Sequence, residues 1–276
     1  MKRVTSHDNP QFKRLKRLRD SARERKETGR TLLDGVHLIT AYHEAVGLPE
    51  LLVLSGSAAA DPELSGFIED FPPGSLLELP DALFREISPV KTPTGVIALI
   101  RVPEASPAGA VRFCVLLEDI QDPGNLGAIL RSAAAAGAER AYLSRHCADA
   151  WSPKVLRAGM GAHFHLDIRA EADLAKVARE FPGTVVATSL HAGKSLFDLD
   201  LRGAVAFVVG NEGAGLSPEL QRAAAEVVTI PMPGKVESLN AAVAAAICLF
   251  ERVRQQVVPG AVTDNRGGKG LPRAER

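Results

Sequence analysis

Polar loops at the ends of apolar runs carry the side chains of this sequence that could do chemistry. The first loop, EDIQDPGN, ends at Asn125 and opens the helical pattern NLGAILRSAAAAG, in which Arg131 stands among alanines. Asn125 is a candidate N-cap for this helix. An arginine near a helix N-terminus offers a planar set of donors to a phosphate or a developing oxyanion. The alternative for Arg131 is a surface arginine whose stem lies along an Ala-rich helix.

The second loop, GNEGAGLS, places Glu212 between glycines. Its spacing is GxxGxG, which differs from the dinucleotide fingerprint GxGxxG, and the chain has no GxxxxGK[ST] phosphate loop. Glycines still allow the backbone to turn sharply or to approach a ligand closely. The pattern alone leaves Glu212 open between a functional carboxylate and an ordinary surface one.

The third loop, PMPGKVESLN, offers Ser238 and Asn240 just before the last helix. Both residue types are also routine helix caps, so neither one alone indicates a site. In open α/β sheets, ligands bind outside the carboxyl ends of the strands, where the three loops are expected to converge. They would bring together an arginine, two amides, a hydroxyl and a carboxylate. We expect no metal, because no ligand cluster accompanies them.

Composition predicts a folded chain without a membrane partner. With 276 residues and 46% hydrophobic residues, the protein is long enough for two modest cores. No stretch approaches the roughly 18 apolar residues of a membrane span, and the first residues have no apolar core of a secretory signal. We therefore expect a cytoplasmic location. The three cysteines are widely spaced and lack CxxC patterns, which indicates buried thiols and neither disulfides nor zinc.

The charge of the chain is unevenly distributed. Its formal net charge is zero, but residues 1–30 hold eleven Lys and Arg against four Asp and Glu. Such a segment is either a footprint for a polyanion, which Lys and Arg bind by releasing counterions, or a solvent-exposed helix face.

These loops need elements to position them, and the pattern changes near residue 102. Before it, a basic helix over 11–28, the helical VHLITAYHEAVG and the strands TLLDG, ELLVLS, SLLELP and GVIALIRV predict a small α/β domain over 1–102. A Pro-rich linker follows at 103–111. A second domain over 112–258 alternates apolar runs (RFCVLL, RAYLS, GTVVATSL, AVAFVVG, EVVTIPM) with helical patterns, which favours a mostly parallel sheet. The tail, 259–276, is predicted to be disordered.

The last helix, about residues 240–256, is apolar around most of its first three turns. Such a helix must be covered, either by the chain's own sheet or by a second subunit. Its small alanine faces permit close helix approach, so we expect a homodimer through this domain.

The three loops together resemble a known family. QDPGNLGAILRSAAAAG, FVVGNEGAGLS and IPMPGKVESLNAAVAAAICLFE are similar to the ordered motifs of the SpoU/TrmH family of RNA ribose 2'-O-methyltransferases over residues 113–256. RKETGRTLLDGVHLI and SPVKTPTGVIALI resemble the ribosomal-protein-like substrate-binding domain that many members carry. This chain departs from the family pattern with Glu118 for an aspartate, Gly159 for a serine and Asp34 for a glutamate.

The resemblance implies a C-terminal α/β domain with a deep trefoil knot that binds S-adenosyl-L-methionine. Carried onto this sequence, the catalytic positions fall on Asn125, Arg131, Glu212, Ser238 and Asn240. The cofactor would contact Thr188, Leu190, Gly210, Ile230, Met232 and Leu239.

The substrate implied is a structured RNA, most simply ribosomal RNA because of the ribosomal-protein-like domain. The first domain and the basic segment would select the RNA, and Arg131 would touch the methyl-accepting ribose. A guanidinium stays protonated, so we expect Arg131 to anchor phosphate and stabilise the alkoxide, and we leave the base unassigned. The alternatives are the same reaction on transfer RNA and a non-catalytic RNA-binding protein on this scaffold. A generic nucleotide-binding enzyme is disfavoured by the missing phosphate loops.

Overall fold

The computed structural model describes residues 1–90, 92–105, 109–190, 192–211 and 213–257. Glu212 and the predicted disordered tail lie outside the described residues. The strands form two sheets, one before and one after the predicted linker. No helix in the described part of the chain is long and apolar enough to cross a membrane.

The first sheet mixes parallel and antiparallel pairs. Its strands are β1 (Lys2–Arg3), β2 (Arg30–Asp34), β3 (Leu51–Ser55), β4 (Leu76–Leu79) and β5 (Val96–Arg101). They lie in the order β1-β4-β3-β5-β2, and β5 runs antiparallel to both of its neighbours. Its helices are α1 (Pro10–Asp20), α2 (Ala22–Thr28), α3 (Val36–Ala45), α4 (Gly56–Ala59), α5 (Pro62–Glu69) and α6 (Asp81–Ile87). The predicted small α/β unit is confirmed.

The single basic helix predicted over 11–28 is wrong, because the structure has two helices with a break at Ser21. The backbone of Ser21 is extended, and its hydroxyl accepts a hydrogen bond from the Glu24 amide at the start of α2. Its own amide bonds to the Arg17 carbonyl and closes α1. Serine favours such caps over helix interiors. The apolar side of α1 faces the core as the spacing predicts.

The second sheet is parallel throughout. Its strands are β6 (Phe113–Leu117), β7 (Arg140–Leu143), β8 (Asp167–Arg169), β9 (Thr184–Thr188), β10 (Lys194–Ser195), β11 (Val205–Val209) and β12 (Glu226–Thr229). Their order is β10-β12-β9-β11-β6-β7-β8, and every pairing is parallel. Every residue of β6 and β11 is buried, which explains their uninterrupted apolar runs. The mostly parallel sheet is therefore confirmed.

Helices cover both faces of this sheet. They are α7 (Pro123–Ala135), α8 (Pro153–Gly159), α9 (Leu174–Glu180), α10 (Pro218–Ala223) and α11 (Ala241–Gln256). α7, α8 and α11 share one core, and α9 and α10 share the core on the opposite face. α11 buries one side, including Cys248 and Leu249, while Val243 and Phe250 remain about half exposed. The trefoil knot implied by the resemblance stays a prediction.

The two sheets are joined by buried contacts. The Arg25 guanidinium, only 6% exposed, forms an ion pair with Asp149 at 2.6 Å. The Thr31 hydroxyl donates to the Trp151 carbonyl at 2.6 Å. Leu156 of α8 packs into the core of the first sheet. The first sheet is therefore held against α8 and the loop before it.

Candidate functional site

A cavity of about 330 Å³ opens at the carboxyl edge of the second sheet. Because β9, β11 and β12 are parallel neighbours, the loops that follow them meet at this edge. The residues predicted to hold the cofactor all line the cavity: Thr188, Leu190, Gly210, Ile230, Met232 and Leu239. Ser238 also lines it. The sequence-predicted cofactor positions are thus brought together in one place.

The loop after β11 folds back on itself beside this cavity. Asn211 and Gly215 exchange both backbone hydrogen bonds, at 3.1 and 2.9 Å. A Cβ at Gly210 would lie 2.4 Å from the Gly215 carbonyl oxygen, so only glycine fits the closed turn. Gly215 itself has a φ of +70°.

Asn211 organises this loop, and sequence reasoning missed it. Its Oδ1 accepts from the amides of Gly213 and Ala214 at 2.9 and 3.0 Å, while its Nδ2 donates to the Asp119 carbonyl at 2.9 Å. The side chain therefore ties the loop after β11 to the loop after β6. An asparagine two residues before a glycine is a signal for such a side-chain turn.

The loop after β6 is held from several sides. Asp119 has a φ of 55°, an uncommon left-handed conformation for a residue other than glycine. The Asp119 carboxylate accepts a hydrogen bond from the Ser144 hydroxyl, and the Asp119 backbone amide donates one to Ser144 Oγ. Glu118 reaches across and accepts from the Ser217 amide at 2.7 Å. The glutamate that replaces the expected aspartate thus holds the end of the neighbouring loop.

The prediction that Asn125 caps α7 is wrong. Pro123 occupies the first turn of the helix, and the Asp122 side chain is the cap, accepting from the Asn125 amide at 2.8 Å. Proline is well suited to this first position because it needs no amide partner there. The Asn125 side chain instead accepts from Asn240 Nδ2 at 2.9 Å. Asn240 caps α11 as its type suggests, accepting from the Ala242 and Val243 amides.

Arg131 lies farther from the helix N-terminus than the sequence suggests. Because α7 begins at Pro123, Arg131 is more than two turns into the helix, about 12 Å from its start. The helix dipole acts mainly within the first turn, so it does not explain this arginine. Arg131 is exposed, and it makes no hydrogen bond or ion pair to any other described residue.

Arg131 borders a separate shallow depression of about 280 Å³ and is not part of the cavity wall. This depression is lined by small residues on α7, α8 and the segment after α8, together with Met160 and His165. Asn125 and Asn240 also stand outside the cavity wall. Of the predicted catalytic residues, Ser238 lines the cavity, Asn240 and Asn125 contact each other outside its wall, and Arg131 borders the depression. Glu212 lies outside the described residues.

Packing explains why Gly159 stands where the family pattern has a serine. A Cβ at this position would lie 2.5 Å from Cε1 of the buried His163. His163 donates from Nε2 to the Ala150 carbonyl at 2.9 Å, and its Nδ1 has no partner among the described residues. Burial lowers the pKa of His163 to about 4. The segment beside Arg131 is thus supported by a neutral, buried histidine.

The chemistry of the cavity wall narrows the class of ligand. None of its described residues is charged, and its side chains combine apolar Leu, Ile and Met with hydroxyls and amides. Such a wall suits a nucleoside that carries no phosphates, because phosphate groups would need cationic partners in the wall. The described residues contain no group of three metal-ligating side chains. Burial raises the pKa of Cys114 and Cys248 to about 12, so neither thiol is a nucleophile.

Comparison with known proteins agrees with this geometry. Residues 112–250 match the SpoU rRNA Methylase family, and residues 9–98 match the MRM3-like substrate binding domain. An uncharacterized tRNA/rRNA methyltransferase of Synechocystis is 34% identical over 92% of this chain and 94% of its own length. The 23S rRNA (guanosine(2553)-2'-O)-methyltransferase RlmP of Bacillus subtilis is 31% identical over 91% and 98%.

A solved structure shows the same fold. The AdoMet-bound rRNA methyltransferase from Sinorhizobium meliloti has a TM-score of 0.80 and 29% identity, covering 93% of this chain and 99% of its own. The family match covers half of the chain, and the relatives extend over nearly all of it. The chain belongs to the SpoU rRNA methylase family.

Proposed function

We propose that the protein transfers the methyl group of S-adenosyl-L-methionine to a ribose 2'-hydroxyl of ribosomal RNA. The observation that carries this proposal is the uncharged cavity at the carboxyl edge of the sheet, with the hydrogen-bonded pair Asn240 and Asn125 beside it and Arg131 exposed on the same helix as Asn125. The named activities of the relatives support the reaction and the substrate class.

The cavity residues fit the cofactor. Leu190, Ile230, Met232 and Leu239 provide apolar surface for an adenine ring, while Thr188 and the backbone at Gly210 provide polar groups. When bound, the cofactor supplies an electrophilic sulfonium methyl group. The described wall offers hydroxyl, amide and backbone groups to the polar parts of the cofactor and contains no carboxylate.

The residues of the chain position the acceptor. In-line attack requires the ribose oxygen to lie about 3 to 3.5 Å from the methyl carbon, so orientation supplies much of the rate. Ser238 lies at the rim of the cavity and marks the side from which the ribose enters. The Asn125–Asn240 pair holds the start of α7 against the start of α11 beside this rim. Glu212 is the proposed carboxylate of this site.

Arg131 anchors the RNA. Its guanidinium is exposed and unpaired among the described residues, so it is free to form two parallel hydrogen bonds with a phosphate or to stabilise the nascent alkoxide. The guanidinium stays protonated, so it cannot accept the hydroxyl proton, and the base stays unassigned.

A dimer through the second sheet's domain forms part of the proposal. Val243 and Phe250 of α11 are 48% and 46% exposed and lie seven residues apart, on one face of the helix. A second copy of the chain would cover this face. The cytoplasmic location predicted from the sequence also stays part of this proposal.

Transfer RNA is the second candidate substrate, since the Synechocystis relative is named for both RNA classes. The test is incubation with radiolabelled S-adenosyl-L-methionine and total RNA, followed by size fractionation and nuclease digestion. We expect label on ribose 2'-oxygens of the large ribosomal RNA. Label in the transfer RNA fraction would select the second candidate. No label with normal cofactor binding would point to a ribosome assembly intermediate as the substrate, and absence of both label and cofactor binding would support a non-catalytic RNA-binding protein.

The same assay tests Arg131. Arg131→Lys keeps the charge but loses the planar fork, so we expect turnover to fall about 100-fold with cofactor affinity nearly unchanged. Arg179→Lys, an exposed arginine on α9 across the sheet, is the matched control. Wild-type turnover in the Arg131 variant would remove this residue from the mechanism.

A further inference from the structure

The basic N-terminal segment is largely neutralised in the folded protein. Of its eleven cations, nine form ion pairs with carboxylates: Arg3, Lys13, Lys16, Arg17, Arg19, Arg23, Arg25, Lys26 and Arg30. Several of these partners, such as Glu78, Glu86 and Glu171, come from outside the segment. An RNA phosphate would have to compete with a carboxylate at each of these cations. The charge excess seen in the sequence is therefore a poor guide to the RNA-binding surface.

A different group of cations has no such partner. Lys154 and Arg157 on α8 are exposed, and neither forms an ion pair or hydrogen bond with another described residue. They are three residues apart and therefore neighbours on one face of the helix. Arg131, on the adjoining α7, is likewise exposed and unpaired among the described residues.

The packing of α8 places these cations between the two halves of the molecule. Val155 and Gly159 face Gly127 of α7, where an added Cβ would meet the Val155 carbonyl at 2.6 Å. Leu156 faces the core of the first sheet. At 100° per residue, Lys154 and Arg157 fall on the open arc between these two contacts. Arg157 is also close enough to the first sheet to lower the pKa of Asp34, which desolvation raises overall.

The depression beside Arg131 lies at the C-terminal end of α8. Gly127 and Arg131 are four residues apart on the face of α7 that meets α8. The depression is lined by Gly159, Met160 and Gly161, the residues that directly follow the exposed face of α8. The exposed cations of α8 are thus followed, at the end of this helix, by the depression that Arg131 borders.

We propose that Lys154 and Arg157 bind phosphates of the RNA substrate and guide the strand from the first sheet across α8 to Arg131. This inference rests on the proposed function, because it names the surface through which the acceptor RNA reaches the site. Unpaired cations suit this role, since each one that neutralises a phosphate releases counterions without breaking an existing ion pair. Asp34, whose pKa is influenced by the charge of Arg157, is mostly buried and accepts a hydrogen bond from Ser88.

The test is the salt dependence of RNA binding. Affinity for a fluorescently labelled, unmodified 23S ribosomal RNA transcript is measured by anisotropy between 50 and 300 mM KCl. For the double variant Lys154→Ala/Arg157→Ala we expect about tenfold weaker binding and a log–log salt slope smaller by about 1.4 to 1.8, as loss of two phosphate contacts predicts. The matched control, Lys13→Ala/Arg17→Ala, also removes two cations, but both are paired in the structure. It should change affinity less than about twofold.

Equal losses in the two double variants, or a larger loss in the control, would overturn the proposal. Thermal unfolding of both variants distinguishes the loss of RNA contacts from unfolding of the protein. A reduced RNA affinity supports the proposal only if the variant keeps the melting temperature of the wild type. Methyl transfer and cofactor binding are measured in parallel. If the wild-type protein transfers methyl groups but the α8 variant binds RNA normally, the RNA path is wrong and the function stands. If neither methyl transfer nor cofactor binding occurs but the slope falls as expected, the function is wrong and the RNA surface stands.

Discussion

The side chains of Asn240 and Asn125 are joined by a 2.9 Å hydrogen bond that links the first turns of α11 and α7, 115 residues apart in the chain. Asn240 also holds the first amides of α11 with its side-chain oxygen. The side-chain amide of Asn240 thus caps the N-terminus of α11 with its oxygen and connects two loops of the site with its nitrogen.

These two roles can be separated by substitution. Asn240→Ser keeps a capping oxygen but is too short to reach Asn125, whereas Asn240→Ala loses both functions. We expect the free energy of unfolding to fall by about 1 kcal/mol in the alanine variant and to stay within about 0.5 kcal/mol of the wild-type value in the serine variant. Both should lose methyl-transfer activity to a similar extent. Urea unfolding and the labelling assay measure the two effects, and full activity in the serine variant would show that the pair is dispensable.

Gly210 sets the shape of the cavity wall. In Gly210→Ala the added methyl would overlap the Gly215 carbonyl, so the loop must open. We expect a stability loss of about 1 to 3 kcal/mol and cofactor binding weaker by about tenfold or more. Calorimetric titration with S-adenosylhomocysteine measures the affinity. Gly203→Ala, where an added Cβ meets nothing within 4 Å, is the control. Unchanged affinity in Gly210→Ala would mean that the closed turn does not shape the binding site.

His163 predicts a specific dependence of stability on pH. Its pKa falls from 6.5 to about 4 on folding because burial disfavours the charged ring. The unfolded chain therefore binds a proton at His163 more readily than the folded protein. The contribution of the neutral ring to the free energy of unfolding is fully present above about pH 6.5 and declines as the pH falls toward 4. The contribution at stake is of the order of 3 kcal/mol.

Urea unfolding at pH 7.5, 6 and 5 measures this decline. His163→Gln keeps a donor for the Ala150 carbonyl but does not titrate, so the wild type should lose more stability than the variant between these values. Parallel curves for the two proteins would mean that His163 is not responsible.

The exposed face of α11 predicts the assembly state. Phe250→Asp places a charge in the middle of the proposed dimer contact, so we expect the molecular mass in solution to fall from that of a dimer to that of a monomer. Light scattering coupled to gel filtration measures it. Phe197→Asp alters an aromatic residue that is equally exposed, at 50%, but lies on another element. A wild-type monomer, or a dimer that survives the Phe250 change, would remove this interface.

The parts of the fold that sequence reasoning predicted are those with a strong local signal. β6 and β11 are continuous apolar runs buried on both faces, and their position in a parallel sheet follows from that pattern. β8 was missed because two of its three residues, Asp167 and Arg169, are charged, and they pair with each other instead of forming an apolar run. β10 has only two residues.

The errors at the site have local causes too. Pro123 and Gly124 resemble a loop in the sequence, which predicts that the helix starts at Asn125 and that Arg131 lies near its N-terminus. Proline at the first helical position would have indicated Asp122 as the cap. The role of Asn211 depends on the Asp119 carbonyl, 92 residues away, and no local pattern contains that contact.

The junction of the two sheets has a consequence for measuring length along an RNA. Arg25 with Asp149, and Thr31 with the Trp151 carbonyl, fix the first sheet against the segment that leads into α8. In the proposed function, these contacts keep constant the span from an RNA feature bound by the first sheet to the ribose at Arg131. The protein would then select its target nucleotide by the distance of that nucleotide from the bound RNA feature, the landmark, as well as by the identity of the base. Lengthening the RNA between landmark and target by one base pair should shift the methylated position or abolish methylation.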